Sequence, residues 1–282
     1  MAAGLSTEVN RSRDLGRRGW SLAIWLCLLA AFSPVLFDLS VHLVEHPWAR
    51  ASLIFPWLGW VATRSRAEPQ DAETSLEPSR ALWIWIALAL GIEGLAIAGD
   101  TIRLGRLGLL IAVLGLCHSF RWMRFPKLLL LLWAIPIPAS LMSFASPGLE
   151  DLWARGSAAM ISGLAFELIH QVPTMSTAEG SLPLSAADGG LAMAFGFAGL
   201  GWFRGLTRID EPQSPWIQST LGAMAAVILQ FALILLAGGL LRVGADAGWV
   251  RAGLAEVGWC VVVFTGFVLS VPVLLQSRRS EA

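Results

Sequence analysis

Few side chains in this chain can do chemistry. Asp188 stands where a polar loop, EGSLPLSAA at 179–187, runs into an apolar stretch, and Gly189 and Gly190 follow it directly. A carboxylate at such a junction caps a helix start, where free N–H groups and the helix dipole favour an anion. Arg242 closes the next apolar run but one-sidedly, as the one cation after LILLAGGLL at 233–241. If both residues lie at the same face of a membrane, they pair or bind a polar group from outside. Glu93 falls in the last third of another apolar run, which places it near an interface or facing a helix bundle.

Nucleophilic catalysis needs an activated Cys or Ser with a base in reach. Ser181 and Ser185 lie near Asp188, but the four histidines (His42, His46, His118 and His170) all precede it. A hydrolase would therefore need a long-range partnership of a nucleophile with His46 or His170, both in outer-face segments. Cys27, Cys117 and Cys260 each fall in an apolar segment and read as unpaired, structural thiols. Cys260 reads as buried, which would keep it a thiol rather than a thiolate. The cysteine spacings match no metal site and the spacing of His46 and His170 supports none, so neither a metal nor another cofactor is expected.

The elements that must position these groups are membrane helices. The 282 residues are 56% hydrophobic and 14% charged, whereas a soluble domain carries about 25% charged residues. Zero net charge gives no footprint for nucleic acid. The pattern predicts an all-α, polytopic transmembrane bundle of eight spans: about 20–44, 49–63, 81–98, 104–120, 128–145, 189–203, 216–241 and 254–275. The second is short and holds Pro56; the fifth holds Pro136 and Pro138. Residues 152–169, thinned by Arg155, Gly156, Ser157, Ser162, Gly163 and Glu167, read as a helix packed at the surface rather than a crossing. Residues 171–187 read as a loop, with a hairpin around Glu179–Gly180.

Basic loops set the orientation. Residues 1–19 form a basic cytoplasmic N-terminus, 20–275 the transmembrane domain, and 276–282 a cytoplasmic tail. The 64–80 loop, RWMRFPK at 121–127, Arg204 with Arg208, and Arg278 with Arg279 all fall on the cytoplasmic side. The 148–188 region then lies outside and carries the site, with Asp188 and Arg242 at one level.

Five segments spread over 45–275 give a further pointer. They are HPWARASLIFPWLGWVATRSR (46–66), FRWMRFPKLLLLLWAIPIPAS (120–140), EGSLPLSAADGGLAMAFGF (179–197), LILLAGGLLRV (233–243) and LAEVGWCVVVF (254–264). In this order they resemble the exosortase/archaeosortase family of multi-pass membrane sorting proteases; the second segment is the most specific. The resemblance implies a Cys nucleophile, an Arg that stabilises the oxyanion and a His base. Its Cys position falls on Asp188, its Arg is kept as Arg242, and its His falls on Ala255 or Leu254, followed by the acid Glu256. The family's Asn falls on Gly239, and an earlier His position falls on Ala51.

With thiol and imidazole gone, the resemblance implies a catalytically degenerate relative in a bacterial inner membrane. Its partners would be the lipid bilayer and either C-terminal tails of exported proteins or exopolysaccharide-assembly membrane proteins. Two alternatives stand beside this reading. One is an active peptidase or transpeptidase in which Asp188 serves as base for water and Arg242 stabilises charge. The other is a transporter or assembly component sharing only the bundle, although spans six to eight offer almost no polar path.

Overall fold

A computed structural model describes residues 23–24, 26–64, 80–119, 125–136, 147–184, 190–208 and 214–281. The chain divides into two compact units, Met1–Val41 with Asp71–Met123, and His42–Gln70 with Arg124–Ala282. Among the described residues, three helices are long and apolar enough to cross a membrane: Ala81–Ala98, Pro215–Arg242 and Ala247–Ser277. Leu104–Ser119 is a shorter apolar helix. The protein is mostly helical and suited to a lipid bilayer.

The first unit contains helical residues 26–31, most of α1 (Ser33–Glu45), α3 (Arg80–Ala98) and α4 (Ile102–Ser119). Its core is Leu28, Phe32, Val35, Leu82, Ala89, Ala112 and Leu116. Arg106 of α4 donates to Asp38 Oδ2 of α1 through Nε at 2.9 Å and Nη2 at 2.7 Å. Glu93 is 5% exposed, and its carboxylate fits over Gly105 of α4, where a Cβ would meet it at 2.5 Å.

The second unit contains α2 (Ile54–Thr63), α5 (Phe125–Leu128), α6 (Pro147–Met160), α7 (Gly190–Thr207), α8 (Pro215–Arg242) and α9 (Ala247–Glu281). The 28 residues of α8 rise about 42 Å at 1.5 Å each, more than the ~30 Å bilayer core. Helices α7 and α8 run antiparallel at close approach. A Cβ at Gly201 would enter the backbone of Gln218, and one at Gly222 would enter that of Phe197.

Two expected crossings take a different form. Residues 47–53 form a 3-10 helix ahead of α2, so 49–63 is not one α-helix. In an α-helix the ring of Pro56 would clash with the carbonyl four residues earlier, at Ser52, and Ser52 lies in the 3-10 segment. Residues 129–134 are likewise 3-10, and Ile135 turns extended at φ −95°, ψ 122°. Ile135 precedes Pro136, and a residue before proline avoids the α region. Residues 137–145 of the expected fifth span lie outside the described residues.

The largest departure from the sequence expectation is at 152–169. The helix covers Pro147–Met160, and Ala165–Ile169 is strand β1. Proline at the first position and Glu150 in the first turn favour the helix start. Gly163, at φ +83°, provides the left-handed turn after it. Strands β1, β2 (Val172–Ser176) and β3 (Ser181–Pro183) form an antiparallel sheet in that order. The fold is therefore not all-α. The β2–β3 connection is a hairpin at 177–180, where Thr177 Oγ1 accepts from the N–H groups of Glu179 and Gly180, each at 3.2 Å. His170 and Gln171 link β1 to β2 with φ of 50° and 65°, the two left-handed residues of a tight hairpin turn.

Helix α6 buries Glu150, Trp153, Ala154 and Ser157, spaced along one helical face. That face and the sheet share a core with Ile234, Ala237 and Leu241 of α8 and Val250 and Leu254 of α9. The α6–sheet element thus caps the end of the second unit where α8 turns into α9.

Candidate binding cleft

The clefts lie beside this cap. Residues 47–53, α7, α8 and α9 enclose a half-open cleft with about 330 Å³ of empty space, its mouth included. Trp48 and Trp259 form walls; Ala51, Met193, Ala255 and Gly258 line the interior. Gln230 of α8, 4% exposed, supplies the polar group. A second hollow of about 260 Å³ shares Trp48, Ala51 and Ala192 with the first, and extends to Ser52, Trp133 and Phe195. The Trp133 Nε1 donor is buried without an acceptor among the described residues. An unfilled buried donor carries a free-energy cost that an incoming oxygen would remove.

The rim is held by Arg50. Its Nε donates to Leu43 O and its Nη2 to Val44 O, each at 3.0 Å. Its Nη1 donates to both Glu256 oxygens, at 3.1 and 3.2 Å. Glu256 Oε2 also accepts from Trp259 Nε1. The guanidinium carbon is 5.7 Å from the Trp259 ring centroid. Arg50 therefore ties the end of α1 to α9 and sets the position of one cleft wall. The side chains of Arg50 and Glu256 are 29% and 47% exposed, so the pair's Coulomb contribution is modest, on the order of 1 kcal/mol.

The sequence-predicted residues distribute unevenly about this cleft. Ala51 and both Ala255 and Leu254, the alternatives for the second position where the resemblance expects histidine, line the same cleft. Glu256 sits at its rim, paired with Arg50 and not with Arg242. Asp188 lies outside the described residues, as do Ser185 and Gly189. The chain is described again from Gly190, where a Cβ would collide with Trp153 and meet Gln230 at 3.1 Å. Arg242 is exposed at the end of α8, with its Nε 3.5 Å from where a Gly163 Cβ would sit. It faces the cap and has no ion-pair partner among the described residues.

Cys260 is exposed, as is Cys27, while Cys117 is buried. Cys260 is thus outside the protein core, on the outward side of α9, a helix of membrane length whose outward surroundings would be lipid. All three thiols are free. His46 and His170 have separate surroundings: His46 stacks near His42 and Trp48, whereas His170 occupies the β1–β2 turn. None of the residues lining the first cleft is a Cys, Ser or His. The arrangement can grip an apolar group and satisfy one or two polar atoms; it holds no nucleophile–base pair among the described residues.

Sequence reasoning missed Arg50, Gln230 and Trp48. Gln230 was visible as an amide in the middle of an apolar run, where a polar group normally faces a neighbour. Arg50 carried no such signal, since its carbonyl and carboxylate partners come from residues 43, 44 and 256. Comparison with family models, with curated proteins and with solved structures finds no match. What the structure itself establishes is a mostly helical protein with three apolar, membrane-length helices and a cleft beside a small capping sheet.

Proposed function

We propose that this chain is an exosortase-like integral membrane protein of a bacterial inner membrane, catalytically degenerate, which binds a peptide tail or partner membrane protein in the cleft. The observation that carries this reading is the convergence of Ala51 and Ala255 on one cleft. Ala51 and either Ala255 or Leu254, the positions where the resemblance expects histidine, line one cleft although they are about 200 residues apart, and none of them carries an imidazole. The eight-span arrangement with cytoplasmic termini belongs to the same proposal. Contacts one helical turn apart run the same way along α7 and α9 (Gly196 against Val262, Leu200 against Gly266) and along α2 and α9 (Ile54 against Gly266, Trp57 Nε1 to Ser270 Oγ), so these three helices are parallel. Arg64 and Arg204 consequently lie at the end away from the cleft, which supports a cytoplasmic placement of that end.

A photo-crosslinking residue at Ala255, in the full-length protein in its native membrane, tests the reading. Capture of an exported protein's C-terminal tail, or of an exopolysaccharide-assembly protein, is the expected result; adducts with lipid alone would overturn it. Co-expression with the captured partner separates the active alternative. Intact partner in the presence of the wild-type chain fits a binding role. Cleavage lost in Arg242→Ala would establish the peptidase reading in its place.

A further inference from the structure

The sequence His42-Leu-Val-Glu-His46 places two histidines four residues apart at the end of α1. His46 N donates to His42 O at 3.0 Å, so the helical repeat continues through both and their side chains share one face. Their ring centroids lie 4.4 Å apart, with the planes inclined by 62°. Trp48 closes a third side, at 5.4 Å from the His42 ring and 5.7 Å from the His46 ring. His42 is 9% exposed, whereas His46 is half-buried.

We propose that His42 and His46 form a two-histidine site for a divalent transition metal of the zinc, nickel or copper class. A metal–nitrogen bond of 2.0–2.1 Å puts a ring centroid about 3.2 Å from the metal, and two such rings about 5 Å apart in tetrahedral geometry. The observed centroid spacing lies within ~1 Å of that value, and rotation of both side chains would have to turn one nitrogen of each ring to a common point. Imidazole suits these metals, and harder cations such as magnesium prefer oxygen. Among the described residues no third His, Cys, Asp or Glu completes a cluster, so solvent or an incoming ligand fills the remaining positions. The nearest fixed cation along the chain, Arg50, is bound to Glu256 and to the Leu43 and Val44 carbonyls, which offsets its repulsion. Trp48 also lines both hollows of the cleft, so the metal site and the cleft share a wall.

The test uses the full-length protein, purified in detergent without a polyhistidine tag. Copper(II) is added at one equivalent and observed by electron paramagnetic resonance; zinc affinity is measured by competition. The expected result is one metal per chain, with hyperfine splitting from two imidazole nitrogens. His46→Gln should weaken zinc by at least about tenfold through loss of the chelating second ligand, and His42→Ala likewise. His118→Ala and His170→Ala should leave affinity unchanged. Because His42 is buried, His46→Gln carries the test if His42→Ala misfolds. Unchanged zinc affinity in His46→Gln, a single-nitrogen spectrum, or dependence on His170 would overturn the proposal.

Discussion

The two units each hold an ion pair joining distant parts of the chain, and the pairs differ in their surroundings. In the first, the Arg106 side chain is 10% exposed and spends two donors on a single oxygen of Asp38. In the second, Arg50 is more exposed and divides its donors between a carboxylate and two helix-terminal carbonyls. The first pair neutralises charge inside a helical unit, where an unpaired charge is costly. The second fixes a wall of a cleft. Exposure, rather than the presence of a salt bridge, separates a structural pair from one that shapes a site.

The contrast can be broken most sharply at Asp38. Asp38→Ala leaves Arg106 buried without its carboxylate and should cost about 3–5 kcal/mol, read as a lowered midpoint in reversible unfolding in detergent–denaturant mixtures. Adding Arg106→Leu should recover most of that loss; a double variant no better than Asp38→Ala would show that the charge is satisfied in another way. Filling the cleft is the next test. Ala255→Phe should reduce crosslinked capture from position 51 by about tenfold or more, as a bulky group occupies the pocket and is worth ~1–3 kcal/mol of lost binding. Its unfolding midpoint, measured alongside, separates loss of capture by occlusion from loss by misfolding.

A smaller effect is expected at the rim. Glu256→Gln should cost about 1 kcal/mol, and the difference from wild type should shrink as salt rises, since exposed pairs are screened. Salt-independent loss above about 3 kcal/mol would mean that Arg50–Glu256 behaves like the buried pair. The smallest change belongs to the cap. Arg155 pairs with Asp151 at 2.9 Å and lies 4.5 Å over the Phe166 ring, but its side chain is 58% exposed. Arg155→Ala should therefore cost only about 0.3–0.5 kcal/mol in the same unfolding measurement.

Much of the helical scaffold was legible because long apolar runs have few alternatives in a bilayer. Helices at 81–98 and 216–241 were placed from hydropathy and recur as Arg80–Ala98 and Pro215–Arg242. Proline-bearing stretches were less legible, since hydropathy says where a segment is apolar and not whether its repeat is α or 3-10. The sheet was hidden for a related reason. Ala165–Ile169 has mixed polarity, and its pairing with Val172–Ser176 and then Ser181–Pro183 depends on turns at 170–171 and 177–180. The candidate site was only partly legible: Glu256 was singled out, but its partner Arg50 was not, and Arg242 lies over the cap at Gly163.

By itself, the sequence determined the solvent of this protein. Its low charge and long apolar helices cannot be accommodated in water without exposing large apolar surface. Only the tertiary structure decided which residues share a cleft. Ala51, Met193, Gln230 and Ala255 come from four separate segments, and their meeting depends on close helix approach and on Arg50 joining residues 43, 44 and 256. Such convergence is a property of packing geometry, for which local periodicity carries no signal.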